Sequence, residues 1–161
     1  MSQAHHYQSQ LRSEITQLVQ IVQPLSEEDI YWKPSHEEWS VMEILCHVEE
    51  MLFYWADEFV RVVEARGAEW GRGLQDEARL KAVSRAKERE LTDVIDGILK
   101  AGHHAETQLA SLSDEDLALQ APHRNPKFGV KPMSFLVEHF IIEHVQGHIR
   151  QIERTLEKRA Q

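Results

Sequence analysis

Apolar residues recur at spacings of three and four over most of the chain, and strict alternation is nearly absent, which predicts helix rather than strand. Leu11, Ile15, Leu18, Val19 and Val22 mark a first helix from about Ser2 to Gln23, stopped by Pro24. The second starts at "WSVMEI", where Ser40 and Glu43 can each take the other's backbone amide in a capping box and Trp39 can staple onto Ile44. Its stripe runs through Val41, Val48, Leu52, Trp55 and Phe59 and ends near Gly67. After the break "GAEWGRGLQD", a third helix is predicted from Glu77 to Leu112, bent near Gly97 or Gly102. Prolines at 122, 126 and 132 keep the chain from Ala121 to Met133 irregular. Ser134 is the expected cap of a fourth helix, which carries Ile141, Ile142, Val145, Ile149, Ile152 and Leu156 and runs to about Lys158.

An internal echo marks the ends of two helices. "PLSEEDIYWKP" follows the first and "SLSDEDLALQAP" the third, each reading as a short helical turn closed by a proline. The expectation is an all-α fold: one domain over residues 1–161, most simply a four-helix bundle closed from two antiparallel hairpins, with the order of the helices around the bundle left open.

Composition supports this and removes several functions. A chain of 161 residues with 42% hydrophobic content can bury one core. Its formal charge of −9 would repel nucleic acid rather than steer it in, and no Lys/Arg cluster offsets that charge. No apolar run approaches the roughly 20 residues of a bilayer span, and the start "MSQAHHYQSQ" lacks a leader pattern, so a soluble cytoplasmic protein is expected. Cys46 is the only cysteine, which excludes an intrachain disulfide and fits a reducing compartment.

The candidate chemistry lies in "IIEHVQGHIR", residues 141–150. His144 and His148 are one helical turn apart, so both imidazoles fall on one side, within about 6 Å, as a two-pronged clamp for a zinc-like ion. His139 points away from them, whereas His47 falls on the shoulder of the second helix and can converge with the pair across a groove. Against this stands a plainer reading, three half-buried rim histidines. His5, His6, His36, His103 and His104 read as terminal, loop or surface residues.

"WSVMEILCHVEE", followed about a hundred residues later by "HFIIEHVQGHIRQIE" and preceded there by "PKFGVKPMS", resembles the DinB/YfiT-like family of metal-dependent enzymes. The resemblance implies a four-helix bundle and a divalent ion, zinc or nickel, on His47, His144 and His148, with water completing the coordination. It also implies homodimers and, by analogy with some relatives, thiol-dependent transferase or isomerase activity with bacillithiol, mycothiol or glutathione.

Three neutral imidazoles would leave a bound ion its full charge and an open position, enough to acidify water or present a thiolate. Glu50 and Tyr54, within about 60° of His47 around the helix, are the candidate catalytic residues that could orient a ligand or relay a proton. Gln151 can line the groove, His123 can fold over it, and Cys46 reads as packing. Two functions follow: a metal-dependent S-transferase or hydrolase acting on a small molecule, or a non-catalytic metal- or ligand-binding bundle of a stress response.

Overall fold

The computed structural model describes residues 2–161. In chain order its helices are α1 (Gln3–Val22), α2 (Glu27–Tyr31), α3 (Val41–Glu64), α4 (Glu77–Ser84), α5 (Leu91–Ala110), α6 (Asp114–Ala118), α7 (Met133–Leu136) and α8 (Glu143–Ala160). A π-helical turn, Val137–Ile142, joins α7 to α8. Strands β1 (Gln120–Pro122) and β2 (Val130–Pro132) pair antiparallel in a small hairpin that proline and glycine spacing did not reveal as strand.

The long helices α1, α3, α5 and α8 make a four-helix bundle, but not from two consecutive hairpins. α5 packs against both α1 and α3, and α8 with the π turn before it packs against the same two, so α1 and α3 stand on a diagonal. Every connection between long helices carries a short helix of its own, giving enough chain to cross the end of the bundle. The core between them holds Leu11 and Leu18, Ile44 and Phe59, Ile98 and Leu109, and Val145 and Ile152, all buried. α3 buries more than its predicted stripe, because Met42, Cys46, His47 and Met51 are enclosed as well, and only the Phe53, Asp57, Arg61 and Glu64 edge is exposed.

The expected third helix is two helices. It breaks at Arg85–Glu90, where a 3₁₀ turn (Ala86–Glu88) and the extended Glu90 separate α4 from α5. Every residue there is a good helix former, so the break is a tertiary effect: Tyr31 Oη donates to the Arg89 carbonyl and the Arg89 guanidinium pairs with Glu49. Gly97 and Gly102 do not bend α5. They let it approach its neighbours, since a Cβ would sit 1.5 Å from Glu49 Oε2 at Gly97 and 2.4 Å from Ile15 Cδ1 at Gly102.

The last helical run also starts differently from expectation. Ser134 does not cap it; α7 begins directly after the extended Pro132, and the Met133 amide bonds the Leu119 carbonyl at 2.8 Å. Both echo segments form the short turns read from sequence, each with a full capping box, on Ser26 and on Ser113. At Ser40 the same device is complete: its hydroxyl accepts from the Glu43 amide at 3.1 Å and its own amide donates to Glu43 at 2.9 Å. Ser40→Ala is expected to cost about 1 kcal/mol, since the Glu43 amide loses its acceptor, and urea unfolding would measure it.

Candidate metal centre

Three histidines from two helices, α3 and α8, meet across the bundle. Helical spacing puts His144 and His148 on the same side of α8, with ring centres 4.7 Å apart, and α3 brings His47 to 5.4 Å and 4.8 Å from them. One ring nitrogen from each lies within 4.8 Å of the others. Trp39, just before the α3 cap, lays its ring 5.2 Å from His47 and helps leave that histidine only 2% exposed.

The hydrogen bonds determine which nitrogens are bare. His144 Nδ1 faces the Phe140 carbonyl at 3.1 Å, and His148 Nδ1 faces Gln151 Oε1 at 2.9 Å. Both oxygens can only accept, so both Nδ1 atoms carry the proton and each neutral ring keeps its lone pair on Nε2. Phe140 belongs to the π turn, a feature that recurs at functional sites because it resets helix register locally. His148 Nε2 and His47 Nδ1 are buried and have no partner among the described residues.

Burial also keeps all three rings neutral. Desolvation, followed by the neighbouring histidines, pulls the His47 pKa down to about 2. Burial takes His144 down to about 4, and His148 is lowered for the same reason. The Arg79 guanidinium acts in the same direction on each of the three. Two clefts reach the centre: one of about 400 Å³ lined by Trp39, His148, Gln151 and Thr155, another of about 420 Å³ lined by Phe140, His144, Gly147 and His148.

Glu50 and Tyr54 lie next along α3 but are engaged elsewhere. Arg72 donates to Glu50 through both terminal nitrogens, and its guanidinium covers the Tyr54 ring at 3.9 Å. Tyr54 Oη donates to Glu58 at 3.2 Å, and burial raises its pKa. Neither hydrogen-bonds to His47. His123 does not fold over the trio: it packs 4.4 Å from Trp70 and stacks on Phe140, behind the π turn. Cys46 is buried, with its thiol pushed up to about 11 by desolvation, as a packing residue would be. His139 is exposed and faces Glu143. Sequence reasoning missed Arg79, whose guanidinium lies over Trp39 at 5.6 Å, because no local pattern ties α4 to the start of α3.

A helical bundle in which three histidines, one buried and two half-buried, converge from two helices is the class that fold and site define. The sequence matches the DinB superfamily over residues 10–152, and the chain belongs to that family. Two solved structures share the fold. One is YfiT from Bacillus subtilis, described as "a probable metal-dependent hydrolase with an unusual four-helix bundle topology" (14% identity, TM-score 0.73, 94% of this chain and 86% of that one). The other is a mycothiol-dependent maleylpyruvate isomerase (9% identity, TM-score 0.71, 92% of this chain and 60% of that one). No curated protein matches the sequence. Among the described residues no helix is long and apolar enough to cross a membrane.

Proposed function

We propose that His47, His144 and His148 hold one divalent ion, zinc or nickel, and that the chain is a metal-dependent S-transferase or hydrolase acting on a small molecule, with a low-molecular-weight thiol as co-substrate. The observation that carries this is the pair of buried, partnerless nitrogens, His47 Nδ1 and His148 Nε2, in rings that burial keeps neutral. A folded chain does not ordinarily leave buried polar atoms unsatisfied, and an ion would satisfy them together. Three neutral imidazoles are the donor set of sites that keep a position open for reaction. The descriptions of the two structural neighbours, one metal-dependent and one thiol-dependent, agree with it.

Such an ion supplies Lewis acidity, lowering the pKa of water or a thiol toward neutrality. The chain's own part is orientation and exclusion of water. The Phe140 carbonyl and Gln151 fix the two α8 rings with Nε2 bare, and Trp39 shields His47. Glu50 and Tyr54 act through Arg72, holding the 67–76 segment next to the trio. Elemental analysis of reconstituted protein tests the reading. Near one zinc or nickel per chain is expected, falling to background in His47→Ala and in the His144→Ala/His148→Ala pair. Metal content indifferent to these changes would overturn it.

A further inference from the structure

Gly147 has no structural explanation within the chain. It sits inside α8 between His144 and His148, where glycine is the poorest helix former after proline. Gly97 and Gly102, within α5, lie directly against the Glu49 and Ile15 side chains, but a Cβ added at Gly147 would meet nothing within 4 Å. The space above it is the floor of the second cleft, which Arg150 and Arg154 also line.

Those two arginines are four residues apart and so neighbours on one helical face. The arginine ion pairs of the described residues fall on Arg12, Arg61, Arg72, Arg89 and Arg159, leaving Arg150 and Arg154 without a carboxylate partner. The one acid lining the cleft, Glu143, faces His139 at 3.1 Å. On a chain of net charge −9, this cleft therefore presents two free guanidinium forks beside the trio. Such forks match the planar oxyanions of carboxylates and phosphates.

We propose that this cleft is the subsite for an organic substrate bearing an oxyanion group, a carboxylate or a phosphate. Arg150 and Arg154 grip the anion, the body of the molecule lies on the bare backbone at Gly147, and its reacting end faces His144 and His148. The inference rests on reading the trio as the reaction centre, and it names the substrate class of that site.

Calorimetric titration of zinc-reconstituted protein with benzoate, phenyl phosphate and neutral benzyl alcohol tests it, with zinc content measured in every variant. At least one anion is expected to bind tenfold or more tighter than benzyl alcohol. Binding of benzoate alone identifies a carboxylate and of phenyl phosphate alone a phosphate; binding of both identifies the shared oxyanion. Arg150→Ala/Arg154→Ala should weaken anion binding at least tenfold. Gly147→Val should abolish it with zinc content unchanged and Tm no lower, and Gly147→Ala should weaken it while raising Tm by a few degrees. Equal binding of benzyl alcohol, or anion binding unchanged in the double arginine variant or in Gly147→Val, would overturn the proposal. Zinc retained with neither anion bound would sink this inference alone. If the wild type takes no zinc, the metal reading fails. The same titrations on metal-free protein then decide the arginine grip, which needs no ion.

Discussion

Loading the protein with one equivalent of zinc is expected to raise its Tm by about 10 °C over chelator-treated protein and to leave His47→Leu unmoved. In the metal-free chain the trio is a liability. His47 Nδ1 and His148 Nε2 are buried without partners, and a buried polar atom left unsatisfied costs about 1 to 3 kcal/mol. An ion that binds only the folded state stabilises by about 4 kcal/mol when present at 1,000 times its Kd. For a chain of this size 1 kcal/mol corresponds to roughly 2 to 4 °C, which gives the expected shift. The converse also follows. His47→Leu removes a partnerless nitrogen and keeps the volume, so the metal-free variant should melt at or above the metal-free wild type. Scanning calorimetry with and without chelator measures both; an equal zinc shift in wild type and His47→Leu would mean that the ion sits elsewhere.

Local rules were the legible part of the fold. The capping box at Ser40, the short turns after α1 and α5 and the stripe of α3 appear as their spacing predicts, because each depends on residues within one or two turns. The break at Arg85–Glu90 was not legible, since it depends on Tyr31 and Glu49, far off in sequence, acting on a segment of good helix formers. The diagonal placement of α1 and α3 was not legible for a related reason. Amphipathic stripes report that a helix has a buried face but not which helix covers it.

The site divides the same way. The convergence of His144 and His148 is a property of one helix, and the side of α3 that carries His47 follows from its angle to the stripe. How deeply His47 is enclosed was not visible, because Trp39 covers it and the 67–84 segment brings Arg72 and Arg79 within electrostatic reach. Nor does anything in "PMSFLVEHFII" announce a π turn, although that turn supplies the carbonyl that orients His144. Glu50 and Tyr54 illustrate the limit of angular reasoning: both lie near His47 around the helix, yet Arg72 takes up one carboxylate and covers one ring.

Acid is expected to destabilise the metal-free protein by about 2 kcal/mol between pH 7.5 and pH 5, and Glu14→Gln is expected to roughly double that loss. His47 and His144 have folded pKa values of about 2 and 4 against an ordinary 6.5, so below pH 6.5 the unfolded chain takes up protons that the folded one refuses. Their contribution is complete above pH 6.5 and falls with pH, by about 2 kcal/mol each at pH 5. Glu14 works in the opposite direction. It is 6% exposed on α1, accepts from Gln146 at 2.7 Å, and keeps its second oxygen buried without a partner. Desolvation raises its pKa from 4.5 to about 7. Its contribution is therefore complete below pH 4.5 and is lost as pH rises through 7, returning about 2 kcal/mol on acidification to pH 5. Two histidines outweigh one carboxyl, and the lowered pKa of His148 adds to their side. Glu14→Gln removes only the opposing contribution: the variant should be more stable than wild type by about 2 kcal/mol at pH 7.5 and equal to it at pH 5. Urea unfolding in chelator across this range separates the two, and parallel curves would show that Glu14 does not titrate there. With an ion on the trio the histidines are closed to protons, so the acid loss should shift to the pH at which the ion leaves.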